Sequence, residues 1–271
     1  MNEHLLKSDA DFATIGEIEA AARARLDNHL WDYLMGGAGS EATLRRNRAA
    51  LATVGLLPAM MADVRDYDIG ASLFGIPLAL PVFPAPIGSL DLLDSQGVLA
   101  SARGAHAAGT TCCVGVLSRP DFETVARETD GPLMLQIYVR GDTDWLVDIV
   151  RRAEAAGYRA LALTVDSAVY ARRDRDLANR FSTARVPDRV GGIGPQDAAK
   201  RRFQAGLTWD VFKRLREATT LPIAVKGVMR PDDAVRAVSH GADAIYVSNH
   251  GGRQLDHAPA TIEQLPGVVA A

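Results

Sequence analysis

The stretch 222–250, PIAVKGVMRPDDAVRAVSHGADAIYVSNH, reads as strand, helix, strand. PIAVKGV (222–228) and AIYVSNH (244–250) are short, nearly continuous apolar runs, the pattern of strands covered on both faces. PDDAVRAVSHGA fills the gap between them as a helix. Working outward, the same alternation recurs in LALPVFPAP (78–86), TTCCVGV (110–116), LMLQIYV (133–139) and ALALTVD (160–166), with helical stretches such as TDWLVDIVRRAEAAGY between runs. Strands alternating with helices predict an α/β fold with a parallel sheet, built from βαβ units.

Ahead of this alternation lies a different section. Residues 14–34 read as one amphipathic helix ending at Gly36-Gly37, and EATLRRNRAAL (41–51) as a second helix. An irregular, proline-punctuated region then runs to about residue 77. The expected organisation is an N-terminal helical and irregular section over 1–77 and a barrel-forming section over 78–271. Residues 181–208, rich in Gly and Arg, read as a mobile loop, an overlong βα connection able to act as a lid.

Composition bounds the function. The chain has 271 residues, 48% hydrophobic and 23% charged, which excludes a disordered chain. A net charge of −3 gives no electrostatic reason to expect nucleic acid or an anionic membrane as partner. The start, MNEHLLKSDADF, shows no basic segment followed by an apolar one, so the expectation is a soluble, cytoplasmic protein. Residues 69–90 carry no charged side chain but contain Pro77, Pro81, Pro84 and Pro86, which block a spanning helix. Cys112 and Cys113 are adjacent in a strand candidate, so they should point to opposite faces as small buried hydrophobes. No set of residues reads as a metal site.

Polar residues collect where the strand candidates end: Gln136 and Tyr138, Thr164 and Asp166, Lys226, then Ser248, Asn249 and His250. In a barrel, the C-terminal strand ends and the loops after them build the active site. SNHGGRQLDHAPATI (248–262) sets His250 and Arg253 on a Gly-rich loop. A neutral imidazole is a natural general base near neutral pH, and a guanidinium can hold a carboxylate bidentately. Gly251 and Gly252 would let the backbone approach a ligand closely. Asp166 could pair with His250 and fix its tautomer, while Arg172 and Arg173 lie in the loop above it. Lys226, inside an apolar strand, needs an anionic partner, which a reduced flavin would supply.

These blocks resemble the FMN-dependent α-hydroxy-acid oxidases and dehydrogenases, the family of glycolate oxidase, lactate oxidase and the lactate and mandelate dehydrogenases. SNHGGRQLD is nearly a signature of that family, and LPIAVKGV, LQIYV, ALTVDSAVYARRDRDLANRF and WDYLMGGAGSEATLRRN match further blocks in the family's order, from about residue 14 to 271. The resemblance implies a (β/α)8 TIM-type barrel, FMN as cofactor, oxidation of an (S)-2-hydroxy acid to a 2-oxo acid, and a homo-oligomer, a tetramer. It implies that His250 is the base and that Asp166 stabilises the imidazolium. Arg253 and Arg173 would clamp the substrate carboxylate with help from Tyr33, and Tyr138 would contact the hydroxyl side. Lys226 would sit near flavin N1. Gln136 and Thr164 would hydrogen-bond the flavin ring, Ser248 would touch the cofactor, and the backbone of Pro86, Ile87 and Gly88 would lie against it.

The sequence also departs from the family. Gly115 stands where a serine is common. Gly88 stands where many oxidases have alanine, which favours a dehydrogenase or altered oxygen reactivity. Leu117 and Tyr170 fall where substrate side chains are sorted, leaving aromatic and aliphatic preferences open. Only six of eight βα units are legible in the 271 residues, as in a chain truncated at its C-terminal side, and the family's FMN-phosphate loops lie on the other two. The alternative to an enzyme is therefore a non-catalytic relative that binds a partner or ligand without turnover.

Overall fold

The computed structural model describes residues 12–181 and 201–271. The N-terminal section contributes helices α1 (Ile15–Arg25), α2 (Asn28–Met35) and α3 (Ala42–Ala52). The single helix expected over 14–34 is thus two. Leu26 is extended, and the Asp27 carboxylate accepts from the Leu30 amide at 2.8 Å, starting a new helix within what looks like one apolar periodicity. The region read as irregular also contains an antiparallel hairpin, β1 (Ala71–Leu73) and β2 (Ile76–Leu78). Its turn residues Phe74 and Gly75 both have positive φ, 52° and 74°, the turn geometry that matches strand twist.

Five strands form one parallel sheet in chain order: β3 (Cys112–Gly115), β4 (Leu133–Ile137), β5 (Ala160–Thr164), β6 (Ile223–Val228) and β7 (Ala244–Val247). Helices α4 (Val98–Ala107), α5 (Phe122–Arg127), α6 (Thr143–Ala155), α7 (Asp174–Ala178), α8 (Trp209–Ala218), α9 (Pro231–Ser239) and α10 (Thr261–Ala270) alternate with them. This is the wall of an α/β barrel.

The sixth candidate, 78–86, runs beside β3 without joining the ladder. Cys113 N donates to Pro84 O at 3.3 Å and Thr110 Oγ1 to Val82 O at 2.8 Å, while Ala79 N donates back to Gly109 O at 2.8 Å, so the segment bonds its neighbour only at scattered points. Pro81, Pro84 and Pro86 have no N–H to return. Of the loop expected at 181–208, residues 182–200 lie outside the described residues, while 201–205 are helical.

Strand alternation divides the core in two. Leu135, Ile137, Leu161, Leu163, Ile223 and Val225 face the helices, where Leu146, Val150, Phe212 and Leu215 cover them. Each such side chain contributes about 1.5–3 kcal/mol by leaving water. The opposite face carries small residues, Cys113, Ala160, Ala162 and Ala224 with Met134, and is covered by Leu73, Phe74 and Phe83. The hairpin thus plugs the inner face at its lower end. Cys112 and Cys113 divide between the two clusters, both buried and unpaired. Burial pushes the Cys112 thiol up to about 11 and raises Cys113 further, so both stay protonated. Among the described residues, no helix is long and apolar enough to cross a membrane.

Candidate active site

The inner face that is small and apolar at its lower end turns polar at its upper end by the same period of two. Gln136 follows Met134, Thr164 follows Ala162, and Lys226 follows Ala224. The register sets Gly115 beside Gln136, and Thr164, Lys226 and Tyr246 in one row across β5, β6 and β7. The β6–β7 register shifts at Gly227, whose φ is +112°. A Cβ there would stand 2.6 Å from that of Asp166, so the position admits only glycine while Asp166 keeps its place.

Lys226 is 5% exposed, and its ammonium donates to Ser248 Oγ at 3.3 Å and lies 3.8 Å from Asp166 Oδ2. Burial pushes this amine below its ordinary range, and the Asp166 charge opposes that shift.

His250 carries the central geometry. Its Nδ1 is 2.8 Å from Asp166 Oδ1 and its Nε2 is 3.0 Å from the Tyr138 hydroxyl. An ionised carboxylate only accepts, so the ring proton sits on Nδ1 and Nε2 presents its lone pair. Burial raises the Asp166 carboxyl, but the hydrogen bond from His250 and the Lys226 charge outweigh it and hold Asp166 ionised below the usual range. Burial, then the Asp166 charge, push the Tyr138 phenol upward, so it remains a donor.

The HGG turn is held by three successive positive φ values, +60° at His250, +65° at Gly251 and +73° at Gly252. Within the protein itself, Gly252 packs closely, and toward α3, while Gly251 lines the open cleft. A Cβ on Gly252 would lie 2.6 Å from Leu44 N, whereas one on Gly251 would meet nothing within 4 Å.

The two arginines expected in a clamp have different surroundings. Arg253 donates to the carbonyls of Tyr33, Leu34 and Gly36, at 2.9, 3.2 and 2.5 Å, and so caps the last turn of α2 from across the chain. Its Cζ also lies 5.3 Å from the Tyr33 ring centre. Arg173 is half-buried, with Nε sealed from water and without a hydrogen-bond partner. Arg172, its neighbour, points outward and pairs with Asp174 at 2.8 Å.

Tyr33, Pro86, Ile87, Gly88, Tyr138, Arg173, Lys226, Ser248, His250 and Arg253 line a single cleft of about 430 Å³. Gln136 and Thr164 lie beneath it. Gln136 Nε2 donates to Thr164 Oγ1 at 2.8 Å, both side chains being buried. Among the described residues, no group of three or more His, Cys, Asp or Glu could hold a metal ion.

The sequence matches the FMN-dependent dehydrogenase family over residues 22–271. The chain belongs to that family. It is similar to an L-lactate oxidase of a Nostoc species, 38% identical over 94% of this chain and 75% of the relative. Against the glycolate oxidase of Spinacia oleracea it is 35% identical over 96% of this chain and 74% of that one. A crystal structure of mandelate oxidase superposes with a TM-score of 0.88 at 38% identity, covering 96% of this chain and 75% of that one. The five parallel strands are accordingly part of the TIM-type barrel of these FMN-dependent enzymes.

The cleft suits the family's cofactor, FMN. Lys226 offers a buried ammonium to an electron-rich ring edge, Ser248 a hydroxyl, and residues 85–89 a rim in which an added Cβ at Gly88 would meet nothing within 4 Å.

Two residues of the site region, Gln204 and Asp256, escaped the sequence reading, and Asn249 was read only as one of the polar strand-end groups. Gln204 is buried and bridges two strand ends, accepting from Val139 N and donating to Thr164 O, each at 2.7 Å. Asn249 exchanges two hydrogen bonds with Asn47 of α3, at 2.8 and 2.9 Å. Asp256 accepts from Ser40 N, Ser40 Oγ and Thr43 N at 2.8, 2.8 and 3.0 Å, supplying the cap that Glu41 does not give α3. Asn249 and Asp256 fall within SNHGGRQLD, and their partners within WDYLMGGAGSEATLRRN; that pairing of blocks was the available signal. Gln204 had none.

Proposed function

We propose that this chain uses His250 as the base in the FMN-dependent oxidation of an (S)-2-hydroxy acid to the 2-oxo acid. The observation that carries the assignment is the relay Asp166–His250–Tyr138, in a cleft that Arg173 and Arg253 also line.

Arg173 receives the substrate carboxylate, and Arg253 and Tyr33 complete the clamp. That fixes the adjacent carbon and its hydroxyl relative to His250. A substrate proton passes to His250 Nε2, the electron pair of the substrate's Cα–H bond going to FMN when it is bound, and the imidazolium so formed lies 2.8 Å from the ionised Asp166. Tyr138, already a donor toward Nε2, turns its hydrogen bond to the substrate oxygen. FMN, when bound, supplies the two-electron acceptor that amino-acid side chains lack. Lys226 and Ser248 would contact its ring, and Pro86, Ile87 and Gly88 would lie along it. Gln136 and Thr164, bonded to each other, support that floor.

Anaerobic addition of (S)-lactate, (S)-mandelate or glycolate should abolish the yellow absorbance of the flavin-loaded protein. A protein that takes up no added FMN, or one whose flavin none of these acids bleaches, would overturn the reading.

The reading extends to the setting: a cytoplasmic homo-oligomer, tetrameric like the family it resembles, with no nucleic-acid partner. Two buried free thiols support the reducing compartment and a net charge of −3 the absence of a nucleic-acid partner, while the tetramer rests on the family resemblance.

A further inference from the structure

Two backbone groups beside the relay are bonded by one side chain from a later connection. The last register pair of the β4–β5 ladder is Ile137 with Leu163. Just beyond it, Gln204 Oε1 accepts from Val139 N and Gln204 Nε2 donates to Thr164 O, each at 2.7 Å and both buried. Val139 follows Tyr138, and Thr164 lies two residues before Asp166. Tyr138 and Asp166 are the groups that hold His250, at Nε2 and at Nδ1. One amide thus spans the gap between the two strand ends that carry them.

These backbone groups admit few other occupants. One is a donor and the other an acceptor, so the side chain between them must offer both functions, as a primary amide does. An ionised glutamate has no donor, methionine has the length and neither function, and asparagine is one methylene shorter. Gln204 is 4% exposed, so its loss would leave a buried N–H and a buried C=O unbonded. Asp166 is already fixed from the β6 side. Val165 N donates to Lys226 O at 2.9 Å, and Gly227 closes against the Asp166 side chain. Gln204 supplies the matching tie on the β4 side.

We propose that Gln204 is a positioning residue for the oxidation: its amide sets the spacing of Tyr138 and Asp166 and so keeps the His250 imidazole aligned between them. The inference rests on the hydroxy-acid reading above. A residue that only stabilised the fold would, when replaced, lower Tm and leave the relay of the folded protein unchanged. A residue that spaces the relay lets the strand ends drift when replaced, and a drift on the order of 1 Å costs about 10²-fold in rate.

The test uses Gln204→Met and Gln204→Glu in the flavin-loaded protein, with the acid that best bleaches the parent. Gln204→Met should lower kcat about 10- to 100-fold, with flavin content unchanged. KM should stay within about threefold, since the carboxylate clamp is built from other residues. The proton NMR signal of His250 Nδ1–H, assigned by its absence from His250→Gln, should move or broaden in Gln204→Met with no substrate present. Gln204→Glu adds a titration. Burial raises a carboxyl; protonated, it can donate to Thr164 O, whereas its ionised form repels that carbonyl. The ratio of its kcat to the parent's at the same pH, which cancels the titration of His250, should therefore rise at least about fivefold from pH 9 to pH 6. An unchanged kcat or an unchanged His250 signal in Gln204→Met overturns the positioning role, whatever its Tm, and so does a Gln204→Glu ratio that is flat with pH. If Gln204→Met fails to fold, the Gln204→Glu ratio decides; failure of both to fold assigns Gln204 to the fold alone and overturns the role. If the parent's flavin is bleached by none of the acids, the hydroxy-acid reading has failed, and the His250 signal still decides whether Gln204 spaces the relay.

Discussion

The loop after β7 has two sides that do different work. His250, Gly251, Arg253 and Gln254 line the cleft. Asn249, Gly252 and Asp256, interleaved with them, turn the other way and lock onto α3 through Asn47, Leu44, Ser40 and Thr43. The front carries reactive groups in a strained backbone, with His250 at a φ of +60°. The back supplies the hydrogen bonds that hold this backbone in place. One short signature therefore encodes both a chemistry and its mount, and substitutions should separate them: front variants lose rate without losing stability, back variants the reverse.

The sharpest division is at His250. His250→Gln removes the base while leaving α3 and its contacts intact, so kcat should fall roughly 10³-fold with flavin content and Tm unchanged. Near-normal turnover would show that the base lies elsewhere. Asp166→Asn should cost about 10²-fold in kcat, because the imidazolium loses its counter-charge. It should also lower Tm, since Lys226 would then be a buried ammonium without the carboxylate now 3.8 Å away. A variant with unchanged Tm and normal rate would remove Asp166 from both accounts.

Arg253 belongs to both sides. Its guanidinium faces the cleft yet donates to three carbonyls at the end of α2. Arg253→Lys should raise KM about tenfold and lower Tm together, because an ammonium cannot reproduce a planar fork. A KM change without a Tm change would make it purely a front residue.

How far the sequence carries this division follows from the kind of signal each residue leaves. The parallel strands announce themselves as apolar runs, and the period of two then places Gln136, Thr164 and Lys226 on one face. His250 and Arg253 are conspicuous because their chemistry is rare beside glycines. The 78–86 segment misled because periodicity does not register missing N–H donors, and the break at Asp27 because one cap lies hidden in an unbroken helical pattern. Asn249, Asp256 and Gln204 act through partners far away in the chain; Asp256 and Thr43 are 213 positions apart. A local pattern has no means of showing a cap supplied from that distance. Arg172 and Arg173 look equivalent as neighbours, but in an extended segment bridged to Gly39 successive side chains point to opposite sides, so one turns inward.

The back of the loop gives the smallest effect on rate and a pH signature of its own. Burial raises the Asp256 carboxyl, but hydrogen bonds from Thr43, Ser40 and His257 outweigh it and hold the group well below the carboxylate range. A carboxyl depressed in the folded state stabilises the fold above its unfolded value of about 3.9 and loses that contribution as pH falls through the folded value. Asp256→Asn keeps one acceptor oxygen and loses the charge at the start of α3, which should cost about 1 kcal/mol at neutral pH. Turnover of the folded variant should stay within about twofold, since its side chain never enters the cleft. Thermal unfolding from pH 7 down to pH 3 is the measurement: the deficit against the parent should be constant in the upper range and shrink toward the acid end. A deficit that is the same at every pH would mean that Asp256 acts through shape rather than charge. A large loss of rate without loss of stability would erase the distinction between the two sides of the loop.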